Sequence, residues 1–238
     1  GHRGNPRHMS SGDRTHLIRV LIMLPTLNEK ESIANMLERL LPLGHDVIVS
    51  DGGSTDGTRE IAQQLNVEVV CRPCPGKGCG TRSALTLAQD RGYTHLAMLD
   101  CDQTYHPEDL PELIRRAEEG DSSLVIGCRP PRSIAGLRRL ANAIITGWFN
   151  VLNGTRCRDV ASGMRVIRVE DFAGRPSASG IDMEAQLIAL AVRDRRSIIE
   201  VDVRYADRIG ESTVHWYHLF FILWAITRDR LRLPTMEG

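Results

Sequence analysis

Two aspartates one residue apart, Asp100 and Asp102, have the spacing in this 238-residue chain that most directly suggests chemistry. They follow the apolar run "THLAML" and precede "HPEDL", which opens a helix with a proline. Side chains at positions i and i+2 of an extended strand share a face, so both carboxylates can face one cation. Mg²⁺ and Mn²⁺ bind carboxylate oxygens together with substrate phosphates. Alone, such a pair is more often a solvated or capping turn, but its position at a strand end favours a metal site.

A third carboxylate, Asp51, ends the run "DVIVSD" and opens the loop "SDGGSTDGT". This carboxylate can accept hydrogen bonds from the edge of a uracil or guanine base. Alternatively, the segment is a tight turn in which Thr55 or Asp56 caps the next helix. The glycines do not form G-x-G-x-x-G, and "PGKGCGT" is not a P-loop. Lys77, between glycines before a helix, can still contact a phosphate.

The elements that must position these residues alternate between strand and helix up to residue 128. Continuous apolar runs predict buried strands in "IRVLIMLPTLNE", "DVIVSD", "VEVVCR", "THLAMLD" and "SSLVIGC". Helical spacing appears in "EKESIANMLERLLPLG", "TREIAQQL", "TRSALTLAQDRG" and "HPEDLPELIRRAEEG", with "CPGKGCG" as a loop. This order predicts a single-domain α/β fold with a mostly parallel sheet and flanking helices. Ligands bind at the carboxyl ends of such strands.

The rhythm changes after residue 128. We predict a long helix in "SIAGLRRLANAIITGWFNVLNG", a short strand in "DVASGMRVIRVEDF", a helix in "DMEAQLIALAVRDR" and a strand in "SIIEVDVRYADR". The closing helix, "VHWYHLFFILWAITRDRLR", is either an interfacial amphipathic helix or one packed on the core or a second subunit. Its two histidines, His215 and His218, are interpreted as structural or interfacial. Residues 1–8 resemble an expression remnant, 9–214 form the domain (halves 17–128 and 129–214), and 215–238 hold the C-terminal helix.

Composition limits the function classes. Residues 1–128 hold 13 basic and 18 acidic side chains and residues 129–238 hold 17 and 12, so the halves carry −5 and +5. An acidic half suits a metal and a basic half suits phosphates. Without secretory context, the six cysteines are predicted to be reduced, and a zinc site at Cys71, Cys74 and Cys79 lacks a fourth ligand. The sequence contains no run of about 20 uncharged apolar residues, so we predict neither a transmembrane helix nor a signal peptide.

Six motifs occur in the order seen in family 2 glycosyltransferases of the GT-A (Rossmann-like) fold: "PTLNE", "DGGSTDGT", "GKGCGTRSAL", "DCDQTYHPEDL", "DVASGMR" and "VRYADRIGEST". The chain resembles this family over roughly residues 18–213. Within the family it is most similar to polyprenyl-phosphate sugar synthases, such as dolichyl-phosphate mannose or glucose synthases. The resemblance implies a nucleotide-sugar donor, a divalent Mg²⁺ or Mn²⁺ ion, and inversion at the anomeric carbon.

The resemblance also implies roles for individual residues. The metal and diphosphate motif is Asp100 and Asp102, to which either Gln103 or Thr104 adds. The nucleotide-binding segments contain Pro25, Thr26, Glu29 and Asp51. The segment beside the donor and the acceptor phosphate contains Arg158, Ser162, Gly163 and Arg165, with Arg129 before it. Glu184 falls near the reacting centre, and a basic loop that closes over phosphates contains Arg208 and Ser212.

The acceptor decides the chemistry that remains. A phosphate acceptor is already anionic and needs no base, and the arginines that would hold it are Arg129, Arg158, Arg165 and Arg208. A hydroxyl acceptor needs a general base, for which the candidates are Asp159, Asp182 and Glu184.

Three functions follow from this reasoning. The first is an inverting, metal-dependent transfer of a hexose from a GDP- or UDP-sugar to a polyprenyl phosphate, in the cytoplasm or at the inner face of the membrane. The second uses the same donor with a soluble hydroxyl acceptor. The third is a non-catalytic nucleotide-sugar-binding module, against which the intact Asp51, Asp100, Asp102, Arg158 and Arg208 argue. Peripheral membrane contact and a homodimer are both compatible with the sequence, and nucleic acid is not an expected partner.

Overall fold

The computed structural model describes residues 18–134, 136–206 and 217–231. Within these residues the strands are β1 (Val20–Thr26), β2 (Asp46–Asp51), β3 (Glu68–Cys71), β4 (His95–Met98), β5 (Leu124–Cys128), β6 (Arg165–Arg168) and β7 (Ile198–Asp202). The helices are α1 (Lys30–Leu40), α2 (Thr58–Gln64), α3 (Lys77–Asp90), α4 (Leu110–Glu119), α5 (Gly136–Asn153), α6 (Val169–Phe172), α7 (Met183–Arg193) and α8 (Tyr217–Leu231).

The described strands form one seven-stranded sheet in the order β3-β2-β1-β4-β6-β5-β7. Every pairing is parallel except those of β6, which runs antiparallel to both β4 and β5. Residue Arg165, which begins β6, therefore pairs with Met98 near the end of β4 and with Ile126 in β5. The start of β6 and the carboxyl ends of its neighbours consequently lie at the same edge of the sheet.

Helices cover both faces of the sheet, because alternate residues of each buried strand point in opposite directions. Leu21 and Met23 of β1 pack in a core with α3, α5, α7 and α8. Val20, Ile22 and Leu24 of the same strand pack in a second core with α1, α2 and α4. The predicted α/β fold with a mostly parallel sheet and flanking helices is confirmed.

Two predicted boundaries near the aspartate pair are wrong. Strand β4 ends at Met98, not at Asp100, so the pair lies in the loop beyond the strand. Helix α3 begins at Lys77, whereas the sequence predicted a loop through Gly80. The glycines of "GKGCG" misled the prediction. Gly76 does have turn geometry, with a φ of 95° just before the helix. Gly78 and Gly80 instead lie inside α3, where their close packing on Ser179 and on Ser50 explains them.

Candidate active site

The aspartate pair lies in a tightly bonded loop after β4. Asp102 is buried, and its Oδ1 accepts hydrogen bonds from the Thr104 amide at 3.2 Å and the Thr104 hydroxyl at 2.6 Å. Gln103 between them adopts a left-handed φ of 60°. Thr104 therefore orients Asp102. Of the two predicted additions to the metal site, Gln103 and Thr104, the half-buried Gln103 is the one whose side chain remains a candidate metal ligand.

Lys77 connects this loop to α7. Its Nζ lies 2.5 Å from Asp100 Oδ1 and 2.7 Å from Glu184 Oε1. Burial alone would lower the pKa of Lys77, but the two carboxylates outweigh burial and raise it above its ordinary value. Sequence analysis predicted a phosphate contact for Lys77. The structure shows in addition that this ammonium joins two carboxylates 84 residues apart in the chain, Asp100 and Glu184.

The turn that carries Lys77 is pressed against the loop before α7. A side chain at Gly76 would overlap the Ser179 carbonyl, and one at Gly78 would lie 2.7 Å from the Ser179 carbonyl carbon. The Cys79 amide donates to the same carbonyl oxygen at 3.0 Å. These contacts fix the start of α3, and with it the direction in which Lys77 leaves the helix.

A disulfide between Cys74 and Cys79 encloses Lys77. The prediction that all six cysteines are reduced is therefore wrong for this pair. The other four, Cys71, Cys101, Cys128 and Cys157, are free thiols. Because Cys74 and Cys79 bond each other, they are not available as the zinc ligands considered from the sequence.

Asp51 organises the loop after β2. Its Oδ1 accepts from the hydroxyls of Thr26 at 3.1 Å and Ser54 at 2.5 Å, and its Oδ2 accepts from the amides of Gly53 and Ser54. Burial raises the pKa of Asp51, but these hydrogen bonds outweigh it and leave the pKa below its ordinary value. A carboxylate has about four sites at which it can accept a hydrogen bond, and these four hydrogen bonds fill those of Asp51. This geometry favours the turn interpretation, with Asp51 shaping the loop rather than reading a base directly.

Neighbouring residues hold the loops after β1 and β2 together. Pro25 is buried in β1 opposite Ser50. The Glu29 amide donates to the Thr58 hydroxyl at 2.9 Å, which joins the loop after β1 to the start of α2. Arg72, which sequence analysis missed, donates to the carbonyl of Thr26 at 2.8 Å and to that of Ser50 at 2.9 Å and 3.1 Å. In the sequence Arg72 is an isolated arginine just after β3, and nothing in the pattern around it indicates these hydrogen bonds.

Arg165 has a different environment from the one the family resemblance implied. It is fully buried, and its guanidinium donates to the carbonyls of Val160 at 2.6 Å, Ser162 at 3.0 Å and Glu184 at 2.7 Å. The expectation that Arg165 holds a donor or acceptor phosphate is corrected accordingly, because its donors face main-chain oxygens inside the protein. Arg165 supports the loop that precedes β6.

Tyr105 joins that loop to the aspartate pair, and sequence analysis missed it. Its buried hydroxyl accepts a hydrogen bond from the Gly163 amide at 2.7 Å and lies 3.3 Å from the Ser162 hydroxyl. Ser162 in turn donates to the Gly127 carbonyl at 2.5 Å. A side chain at Gly163 would overlap the Asp100 carboxylate. Gly163 is therefore the residue that allows the two loops to approach, and Ser162 supports the backbone rather than facing a ligand.

Arg129 and Asp159 form a buried, bidentate ion pair. Nε and Nη2 of Arg129 each lie 2.7 Å from a different oxygen of Asp159, and the guanidinium stacks over the Tyr205 ring at 5.3 Å. Burial raises the pKa of Asp159, yet the hydrogen bonds and charge of Arg129 outweigh burial and leave it below its ordinary value. Asp159 is thus a poor general base, and Arg129 already has a carboxylate partner.

Arg158 pairs with β7 instead of the aspartate loop. Its Nη1 lies 2.7 Å from Asp202 and its Nε 3.3 Å from Glu200. The Arg158 side chain is half exposed, and such pairs contribute only about 0–1 kcal/mol. A phosphate can therefore replace these partners at little cost, and Arg158 remains a predicted phosphate ligand.

The two acidic residues at the start of α7 face different neighbours. Glu184 is buried with Lys77 on Oε1, while its Oε2 has no hydrogen-bond partner among the described residues. Asp182 lines a hollow with Arg228 of α8, and burial raises its pKa. Of the three candidate bases, Glu184 is the one joined to the aspartate loop. Arg208 and Ser212 lie outside the described residues.

The loops at the carboxyl ends of β1 and β2 are thus held by hydrogen-bonded amides and hydroxyls, and beside them, beyond β4, lies a group of mostly buried acidic and cationic side chains. Asp100, Asp102 and Lys77 together offer oxygen ligands and an ammonium. This combination suits a ligand that carries phosphates and a bound cation.

Comparison with known proteins identifies the family of this chain. Residues 21–175, more than half of the chain, match the profile of "Glycosyl transferase family 2". Glycosyltransferase AglJ of Haloferax volcanii is 36% identical over 201 residues, which cover 82% of this chain and 65% of AglJ. The chain therefore spans less than two thirds of the length of AglJ. A dolichyl-phosphate hexose transferase of the same organism is 28% identical over 196 residues, which cover 80% of this chain and 84% of that protein.

A solved structure shares the fold. The crystal structure of glucosyl-3-phosphoglycerate synthase from Mycobacterium tuberculosis, in complex with Mn²⁺, UDP-glucose and phosphoglyceric acid, superposes with a TM-score of 0.77 at 22% identity. The superposition covers 93% of this chain and 83% of the synthase. The sequence profile and the relatives agree, and the chain belongs to glycosyl transferase family 2.

Proposed function

We propose that this enzyme transfers a hexosyl group from a GDP- or UDP-sugar to the phosphate of a polyprenyl phosphate, with inversion. The observation that carries the proposal is the meeting of Asp100, Asp102 and Lys77 beyond the carboxyl end of β4. The anomeric carbon forms a bond to an acceptor phosphate oxygen as its bond to the donor β-phosphate oxygen breaks. The nucleoside diphosphate leaves with that electron pair. We propose the cytoplasm, at the inner face of the membrane, as the location.

The carboxylates of Asp100 and Asp102 fit Mg²⁺ or Mn²⁺, which bind through one or two carboxylates plus substrate phosphates. No cluster of three or more acidic, histidine or cysteine residues that could hold a metal occurs among the described residues. The donor diphosphate would therefore complete the ligand set, and we expect metal affinity to depend on the nucleotide. When bound, the cation neutralises charge on the departing diphosphate.

The residues of the chain supply the remaining interactions. Lys77 provides a second positive charge beside Asp100, positioned by its contact with Glu184. The loops shaped by Asp51 and Glu29 present amide and hydroxyl groups at the neighbouring strand ends, where we propose that the nucleoside binds. Arg158 and, from the predicted basic loop, Arg208 and Ser212 are proposed to contact phosphate oxygens.

A phosphate acceptor is supported by the surroundings of the three candidate bases: two are paired with cations and the third faces another helix. Asp159 is paired with Arg129, and Asp182 faces α8. Glu184 shares its charge with Lys77. An acceptor that is already ionised needs no base from this set. The likeness to a dolichyl-phosphate hexose transferase supports the same acceptor class.

A second candidate keeps the donor and uses a soluble hydroxyl acceptor. Two observations favour it: the fold neighbour is a synthase that was crystallised with phosphoglyceric acid, and Glu184 Oε2 is buried without a described hydrogen-bond partner. In this version Glu184 removes the acceptor proton.

The test supplies radiolabelled GDP- and UDP-hexoses with Mn²⁺ and either a polyprenyl phosphate or a soluble cell extract. We expect label to enter the organic phase for one donor, and label that enters only aqueous products would refute the lipid acceptor. Asp102→Asn should abolish transfer, while Asp90→Asn, at an exposed position at the end of α3, should not. Wild-type turnover in Asp102→Asn would refute the proposed metal site.

A further inference from the structure

One face of α5 is apolar and exposed. Five large side chains recur at intervals of three or four residues, which places them on one side of the helix: Leu137, Leu140, Ile144, Trp148 and Val151. The opposite side of the same helix buries Ile145 and Phe149 in the core. Leu137 is 84% and Val151 78% exposed, so folding of the described chain does not account for the outer stripe.

Helix α8 continues this face. Its exposed apolar residues are Phe220, Phe221, Trp224 and Leu231. Trp148 of α5 donates its Nε1 hydrogen to the Thr227 hydroxyl of α8 at 2.9 Å, and Arg230 Nε donates to the Leu152 carbonyl at 2.9 Å. The two stripes therefore form one region, which we call the α5–α8 surface. Among the described residues, nine of the eleven exposed large hydrophobic side chains lie on it.

The exposed charge beside α5 is cationic. From Ser122 to Arg158 the sequence contains six arginines and no aspartate or glutamate, and four of these arginines are outside the ion pairs that Arg129 and Arg158 form. Helix α8 adds Arg228 and Arg230, with Asp229 between them. Arg138 and Arg139 project from the first turn of α5 and are exposed, as are Arg132 before the helix and Arg156 after it. An apolar centre with a cationic border is the pattern of helices that lie in the interface of an anionic membrane.

We propose that the α5–α8 surface binds an anionic phospholipid bilayer, with α5 and α8 lying on it. A second copy of the chain fits less well. An isologous dimer brings the same patch against itself, so arginines would face arginines in a region of α5 that offers no carboxylate. No helix among the described residues combines the length and hydropathy that a membrane span needs. The proposal rests on this surface and not on the proposed acceptor.

The surface also adjoins the candidate active site. Phe221 approaches Gly180, where an added side chain would lie 4.0 Å from its ring. Gly180 follows Ser179, which contacts the turn that carries Lys77. Binding along α8 would therefore bring the bilayer to the loop behind the Lys77 turn.

The first experiment uses the full chain and sedimentation with sucrose-loaded vesicles of phosphatidylcholine, with or without phosphatidylglycerol. We expect binding to the anionic vesicles and little to the neutral ones. The variant Arg138→Glu/Arg139→Glu should weaken binding by about tenfold or more, because each basic residue near the surface adds attraction. The matched control is Arg115→Glu/Arg116→Glu, an adjacent exposed pair on α4, which should bind as the wild type does.

The second experiment tests the apolar part. Leu137→Ser/Leu140→Ser should also weaken vesicle binding, whereas Leu41→Ser, at an exposed leucine after α1, should not. Because both substituted leucines of α5 are exposed, circular dichroism should remain that of the wild type. Equal binding to neutral and anionic vesicles would overturn the proposal. Absence of binding to the anionic vesicles would overturn it as well, and a concentration-dependent dimer that Leu137→Ser/Leu140→Ser abolishes would then show that a second copy covers the surface.

The outcome is independent of the transfer reaction. The same variants keep every residue of the candidate active site, so transfer to a short-chain polyprenyl phosphate in detergent should be unchanged. Loss of vesicle binding with intact transfer would support membrane binding by the α5–α8 surface and would show that this binding is independent of the proposed transfer reaction.

Discussion

Replacing Arg165 by lysine separates a structural role from ligand binding. The substitution keeps the positive charge at this fully buried position but replaces a planar fork of donors with a single ammonium. The three carbonyl acceptors belong to Val160, Ser162 and Glu184 and lie in different directions around the guanidinium. An ammonium on the shorter side chain can satisfy about one of them.

Two carbonyls thus lose a charge-assisted hydrogen bond. Each such bond contributes about 1.5–3 kcal/mol, and local relaxation recovers part of the loss. We expect the free energy of unfolding to fall by about 3 kcal/mol. For a chain of this length that corresponds to a fall in Tm of about 10 °C. The affinity for UDP or GDP, measured well below Tm, should change by less than about threefold.

Urea unfolding and nucleotide titration by calorimetry provide the two readouts. The control is Arg158→Lys, at a half-exposed side chain that pairs with the carboxylates of Asp202 and Glu200, for which a stability change below about 1 kcal/mol is expected. A stable Arg165→Lys protein with much weaker nucleotide binding would refute the structural assignment and restore the phosphate contact implied by the sequence.

Three further predictions concern Lys77, His95 and the disulfide. Lys77→Met should lower the free energy of unfolding, measured in urea, by about 3 kcal/mol, because buried Glu184 loses its cation. Additional replacement of Glu184 by glutamine should recover part of the lost stability. Strictly additive losses in the double variant would contradict the ion pair. Burial lowers the pKa of His95 from 6.5 to about 4, so the unfolded chain binds a proton that the folded chain does not as pH falls through this window. Stability should therefore fall by up to about 3 kcal/mol between those pH values, and an equally steep pH dependence in His95→Gln would exclude this cause. A reductant should destabilise the wild type by about 2 kcal/mol through the short loop that Cys74 and Cys79 close, and a Tm of Cys74→Ser that responds equally to reductant would contradict this bond.

The strands were predictable because their sequences are continuous apolar runs, and burial of both faces demands such runs. The direction of β6 was not predictable, since an apolar run carries no information about which neighbours it pairs with. The position of Asp51 and of the aspartate pair at strand ends followed from the strands themselves. The exact end of β4 did not, because Leu99 continues the apolar run as a buried loop residue.

Side-chain partners were harder to predict than elements. Arg165 and Arg158 look alike in sequence, yet one is fully buried and the other half exposed. Only the tertiary fold brings carbonyls to the first and carboxylates to the second. Tyr105 gave no signal because a tyrosine in a loop is usually ordinary packing, and its partner Gly163 is 58 residues away. Cys74 and Cys79 were predicted to be reduced because the sequence shows no secretory context. That criterion says nothing about the local geometry that brings the two sulfur atoms together.

The antiparallel strand has a consequence for fragments of the protein. Strand β5 ends the first half of the chain, but its described strand partners, β6 and β7, both come from the second half. A polypeptide cut after residue 128 would keep the loops after β1, β2 and β4 while leaving β5 unpaired and one side of β4 open. Such a fragment would expose hydrogen-bonding edges that favour aggregation. The half proposed to bind the nucleotide is therefore not expected to fold as an independent module, and insertions that respect the fold belong in surface loops rather than at this midpoint.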